Sequence, residues 1–204
     1  MTIRLHKGDL PESFASGASV AIDTETLGLN PHRDRLCLVQ LSCGDGDADL
    51  VQFGKGQIEA PNLTKLLRAN DVTKIFHFGR FDLAILQKAL GVRASNVYCT
   101  KIASKLTRTY TDRHGLKDLV RELLGLDISK QQQSSDWGAN ELSEAQLLYA
   151  ASDVLHLHAL REKLDDMLAR ESRVELARQC FAFLPARAEL DLMGWPDIDI
   201  FAHS

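Results

Sequence analysis

Val20-Ala21-Ile22-Asp23-Thr24-Glu25-Thr26 is an apolar run that ends in two carboxylates. Val20 and Ile22 have the β-branched character of a buried strand. Side chains alternate faces along a strand, so Asp23 and Glu25 project to the same side. Two like charges so placed repel, and the pairing is costly unless a cation sits between them. Hard divalent ions take carboxylate oxygens as ligands, which makes a metal the natural relief. A strand that runs into an acidic, solvated loop is the alternative this stretch leaves open.

Working outward, Leu27-Gly28-Leu29-Asn30-Pro31 is a turn by its Gly and Asn-Pro content. Leu36 to Ser42 has the pattern of a strand, Gly44 to Asp47 turns it, and Ala48 to Phe53 is its hairpin partner. Upstream, residues 3–6 form a short edge strand. Downstream, a helix over 62–69 and a strand over 73–76 suggest a crossover into a parallel position. Helical patterns follow at 81–90, about 100–107 and 115–124, the first stopping at Gly91 and the last at Gly125. A polar loop covers Ser129 to Asn140. From Ser143, a natural N-cap, one long helix runs to about Arg170, and another covers about 172–192. Early strands followed by many helices indicate a layered α/β or α+β domain with a mixed sheet.

The 204 residues fit one domain, 1–204, with 45% hydrophobic and 25% charged residues, as expected of a chain with a real core. The start lacks a secretory apolar stretch, and no run approaches the ~20 residues of a membrane span. Cys37, Cys43, Cys99 and Cys180 show no metal-ligand spacing, so reduced thiols in a cytoplasmic setting are expected. A formal net charge of -4 argues against a passive nucleic-acid coat protein. It leaves room for an enzyme that neutralises phosphate locally with metal ions. Residues 101–130 are locally basic (Lys101, Lys105, Arg108, Arg113, Lys117, Arg121 and Lys130), either a phosphate-tracking surface or a solvated helix face.

Two more segments carry chemistry. His77-Phe78-Gly79-Arg80-Phe81-Asp82 lies between a strand and a helix, where open sheets place functional groups. Asp82 in a first helical turn is also simply favoured by the helix dipole. Tyr149-Ala150-Ala151-Ser152-Asp153 puts Tyr149 and Asp153 one turn apart on one helical face, with small residues that allow close approach to the sheet. A buried carboxylate there needs a partner.

Together these segments resemble the DEDD superfamily of 3′→5′ exonucleases, in its tyrosine-bearing branch: DTET for the first motif, HFGRFD for the second, YAASD for the third. Residues 126–154, including Ser135-Asp136-Trp137, are similar to the corresponding stretch of ribonuclease D. The resemblance covers about 20–165. It implies a ribonuclease H-like three-layer fold, with a central mixed sheet flanked by helices, and hydrolysis of phosphodiesters with two Mg2+ or Mn2+ ions about 3.5–4 Å apart. Carried over by motif, Asp23 bridges both ions, Glu25 and Asp153 complete the nucleophile's site, Asp82 holds the second ion, and Tyr149 orients the attacking water. The products are nucleoside 5′-monophosphates.

Ribonuclease D carries helical nucleic-acid-binding domains after its nuclease domain, whereas only about 171–204 follow the long helix here. The stretch AIDTETLGLNPHRDRLCLVQ looks much like nanoribonuclease C, a compact branch that degrades very short oligoribonucleotides, especially dinucleotides, and assembles as ring-shaped octamers. That implies a homo-oligomer with the C-terminal helix and tail in its contacts. Independently, Trp195-Pro196-Asp197-Ile198-Asp199-Ile200-Phe201 must either fold back or expose its apolar residues. Candidate substrate contacts are Thr24, Leu27 as a wedge against the terminal bases, His77, Ser135 and Trp137. For Leu27, His77 and Trp137 a packing role is the alternative. Trimming of longer RNA or DNA 3′ ends and a non-catalytic nucleic-acid-binding scaffold are the competing functions. Four acids and a tyrosine argue against the scaffold, which has no need of a costly carboxylate cluster.

Overall fold

The acidic strand occupies the middle of the sheet. In the computed structural model, which describes residues 1–56, 58–129, 131–132 and 134–203, β2 (Ser19–Thr26) pairs antiparallel with β3 (Leu36–Ser42). On its other side β2 pairs parallel with β5 (Thr73–Phe76). β3 continues antiparallel into β4 (Ala48–Gln52), and β1 (Ile3–Lys7) closes that edge parallel to β4. The opposite edge is β6 (Val97–Cys99), parallel to β5. The order is therefore β1-β4-β3-β2-β5-β6, a mixed six-stranded sheet. Every residue of β3 and β4 is buried, which explains their near-continuous apolar sequence: both faces are covered. Lys130 of the basic stretch and Gln133 of the glutamine run lie outside the described residues.

Among the described residues, seven α-helices flank the sheet. α1 (Pro61–Arg68) starts on a proline, which suits a first-turn position because it has no N–H to leave unpaired. α2 (Arg80–Leu90) ends at Gly91, whose φ of +63° is the left-handed cap that glycine adopts without a Cβ penalty. α3 (Thr100–Thr107) and α4 (Leu116–Leu119) follow, α4 running on into a π-helical turn, Val120–Leu124. α5 (Glu144–Leu155) lies across β2, β3 and β4, and α6 (Leu157–Arg170) packs on α3 and β5. α7 (Val174–Leu192) lies along α2 and β6.

The expected helix from 143 to 170 is two helices. It breaks at His156 (φ -101°, ψ -5°), where no glycine or proline marks the sequence. The break lets α5 stay on the sheet while α6 turns toward α3. The start of α5 is as expected: Ser143 and Gln146 exchange the two bonds of a capping box. β6 escaped sequence patterning because three residues show no period. The C-terminal tail folds back over α7, with the Trp195 amide donating to the Leu190 carbonyl (2.9 Å) and the Phe183 and Phe201 rings 5.8 Å apart. It nevertheless leaves Phe201 76% exposed.

Candidate active site

The site is built where β2 meets α5. Asp23 and Glu25 leave the same face of β2, and Asp153 reaches them from α5, whose Ala150 and Ala151 are fully buried and permit close approach. One carboxylate oxygen from each of the three lies within 4.8 Å of the others. The Asp23 side chain keeps some surface at the site but is densely surrounded by protein. Burial, then the charges of Asp82, Asp153 and Glu25, hold its carboxyl well above the usual range. Burial and the same kind of repulsion, from Asp153 and Asp82, push Glu25 up to about 9. The charged groups acting on Asp23 and Glu25 are all acidic.

Asp82 stands in the first turn of α2, buried, outside this trio but within its electrostatic reach. Burial raises its carboxyl even though the Thr24 hydroxyl donates to it at 2.6 Å. Carboxylates that converge and repel one another in this way fit a hard divalent cation, whose charge would offset that repulsion. Tyr149, half-buried one turn before Asp153, keeps its phenolic proton: burial leads, and Asp153, Glu25 and Asp23 add to it.

The candidate substrate contacts separate. Leu27 is 54% exposed and rests on the backbone of Gly138, where a Cβ would lie 2.6 Å from its Cδ2. His77 Nδ1 is 2.9 Å from the Thr100 hydroxyl, which itself donates to the Phe76 carbonyl, so the histidine nitrogen is the donor. This ties the end of β5 to the start of α3. Ser135 accepts from the Gln146 amide at 3.1 Å, and its hydroxyl helps anchor the loop to α5. Thr24 is buried with its hydroxyl committed to Asp82, so its side chain serves the acid and not a ligand directly. Trp137 is corrected from substrate contact to core. It is 2% exposed, packs among Cys37, Leu38, Leu50 and Ala150, and lies 6.0 Å from the Tyr149 ring. A large aromatic gains more from that burial than from solvent at the loop surface.

Other residues at the site gave little signal in the sequence. Phe78, inside the second motif, has φ +64°, a strained conformation for an aromatic residue, and is 49% exposed. The Lys101 ammonium sits 4.2 Å from its ring centroid. Gly79 beside it was the available hint, because a Cβ there would meet the Phe76 Cβ at 2.6 Å. Arg80 bonds Asp191 through two nitrogens and so ties the second motif to α7. Arg108 is not part of a basic surface: it is fully buried and paired with Glu122.

The model of a 3′-5′ exonuclease family matches residues 8–169. Ribonuclease D of Gluconacetobacter diazotrophicus is 36% identical over 81% of this chain; the chain spans 42% of that protein's length. Among solved structures, the magnesium-bound form of Brucella melitensis NrnC superposes with a TM-score of 0.96 at 62% identity, covering 100% of both chains. The form of that protein bound to pGG gives a TM-score of 0.97 at 63% identity with the same coverage. The expected ribonuclease H-like arrangement of a mixed sheet flanked by helices is thus shared with solved nucleases. The three motifs all fall within residues 8–169, and with them the chain belongs to the 3′-5′ exonuclease family.

Proposed function

We propose that this protein is a metal-dependent 3′→5′ exoribonuclease acting on very short oligoribonucleotides, dinucleotides above all, and releasing nucleoside 5′-monophosphates. The observation that carries it is the trio Asp23, Glu25 and Asp153, three carboxylates within 4.8 Å, with other acids the strongest charges acting on the two from β2. Two structures of one relative support the rest: the NrnC of Brucella melitensis has been solved with Mg2+ and with pGG.

Asp23, Glu25, Asp82 and Asp153 would hold the divalent ions, Mg2+ or Mn2+, which when bound stabilise the charge on the attacking and leaving oxygens. The protein's own residues do the remaining work. Thr24 fixes Asp82 by its hydrogen bond, so that this carboxylate faces the site in one rotamer. Tyr149 stays protonated, donates to Asp153, and can accept from the attacking water, which orients a lone pair of that water toward phosphorus. Leu27 presents an apolar edge to the terminal bases. His77, its Nδ1 proton held by Thr100, lines the end of β5.

Residues 1–204 act in this reading as a single nuclease domain with a catalytic core of about 20–165. The helix and tail from about 171 engage other copies in a ring-shaped homo-oligomer, an octamer. Exposed Ile198, Ile200 and Phe201 support that role, and light scattering should give a mass several times 22.7 kDa. Among the described residues no helix is long and apolar enough to cross a membrane, in keeping with action in the cytoplasm.

The test is single-turnover cleavage of 5′-labelled RNAs of two, three, five and twenty nucleotides in Mg2+. A sharp preference for the dinucleotide is expected. Equal rates with a ladder shortening from the 3′ end would instead mean a general trimming enzyme for RNA or DNA ends. No cleavage with either metal would mean a binding scaffold.

A further inference from the structure

One buried polar side chain near the carboxylates has no protein partner. Gln40, on β3, lies directly opposite Asp23 in the antiparallel pair. Directly opposed residues point to the same face, with Cβ atoms about 4.5–5.5 Å apart, so Gln40 shares the row of Asp23 beneath α5. It is 0% exposed, and neither its amide nitrogen nor its amide oxygen has a hydrogen-bond partner among the described residues. Besides Asp23 and Ser42, two of its neighbours in that face are aliphatic. Leu38, opposite Glu25, and Leu50, opposite Gln40 on β4, are both fully buried. A third aliphatic residue would pack there at no polar cost, whereas an unpaired buried amide is penalised.

We infer that Gln40 is a positioning residue for Asp23, acting through an ordered water that its amide holds against the carboxylate. A primary amide offers two N–H donors and a carbonyl acceptor, the complement a bridging water needs when the water's other contact is a carboxylate. The consequence would be that the Asp23 carboxylate is held in one orientation toward the place where a divalent ion would bind. Groups that orient metal-binding carboxylates in this way typically change metal affinity or activity by about 10- to 100-fold when removed. The inference rests on the proposed metal-dependent nuclease function, which it deepens.

The experiment is Gln40→Met, nearly isosteric and apolar, beside wild type, with Gln40→Asn as a second variant that keeps the amide but draws it back. Mn2+ affinity is read from the free-ion paramagnetic resonance signal without substrate, then kcat and KM on a dinucleotide, then metal-free melting temperature. Expected for Gln40→Met are about 10-fold weaker Mn2+ binding, a matching fall in kcat, an unchanged KM and an equal or higher melting temperature. Gln40→Asn should show the same fall in affinity. Unchanged Mn2+ affinity and kcat would overturn the inference, as would a melting temperature that collapses in Gln40→Met, which would make Gln40 a packing residue. Wild type that binds Mn2+ but cleaves nothing would remove the nuclease function, while the affinity comparison would still decide the role of Gln40.

Discussion

The same sheet buries carboxylates in two places, in opposite electrostatic surroundings. At the β1/β4 edge, Asp49 is 5% exposed and receives the guanidinium of Arg4 (2.8 Å and 2.9 Å) and the ring of His6 (2.7 Å). Burial pushes the Asp49 carboxyl up, but the hydrogen bonds from Arg4 and His6 outweigh it and hold it below the usual range. At the centre, Asp23 and Glu25 meet only other acids, and their carboxyls are raised. Burial is common to both, so burial does not mark a site. The mark is a buried pair of carboxylates, Asp23 and Glu25, whose strongest charged neighbours are other acids.

The largest expected effect comes from removing one acid of each kind. Asp23→Ala should lower cleavage by on the order of 10³-fold or more while the protein stays folded, because the lost group is the proposed metal ligand and a source of repulsion at once. Asp49→Ala should do the reverse. It removes the partner of His6 and leaves Arg4 only its bond to Asp47, costing about 1 kcal/mol in a urea titration, with cleavage rates within about twofold of wild type. Activity surviving in Asp23→Ala, or lost in a folded Asp49→Ala, would dissolve the distinction between the two places.

The two places should also respond oppositely to pH. With Glu25 near 9 in the folded chain against an ordinary 4.5, the metal-free protein holds a proton between these values that the unfolded chain has released. Its contribution to stability is present below about pH 4.5 and is lost as pH rises toward 9. Asp49 works the other way, its contribution being present above the ordinary 3.8 and lost as pH falls below it. Metal-free melting temperature should therefore fall between pH 5 and pH 8, by roughly 3 °C or more. Saturating Mg2+ should flatten that slope, because the ion displaces the proton. A slope unchanged by Mg2+ would separate the carboxylates from the metal.

Strands rich in β-branched and aliphatic residues were legible in the sequence because short apolar runs bounded by turn residues leave a strong trace, and β2 to β5 lie where that trace puts them. The carboxylates were legible because an acid beside apolar residues is anomalous. The break at His156 was not, since α5 and α6 are both amphipathic and only their tertiary partners differ. The fate of Trp137 was equally hidden: an aromatic in a polar loop can face solvent or core, and the decision belongs to Leu38 and Leu50, ninety or so positions away in the chain. Gln40 reads as one polar residue in an apolar strand, and only the register with Asp23 gives it meaning.

The smallest effect tests whether the cleft extends beyond its charges. Leu27 leaves β2 just after the bulge at Glu25/Thr26 and remains 54% exposed while resting on Gly138. An exposed leucine contributes little to folding, so Leu27→Ala should leave the melting temperature nearly unchanged. If its edge packs against the terminal bases, losing that contact costs about 1 kcal/mol, or some fivefold in KM for a dinucleotide. The turnover number should hold, since nothing in the carboxylate trio depends on that side chain. The split between KM and kcat is the decisive reading. A rise in KM alone places Leu27 on the substrate side of the site, next to a charged centre that does the chemistry. Unaltered kinetics would return it to the packing around Gly138, and length preference would then have to arise from other walls of the cleft, with the exposed Phe78 the first to examine.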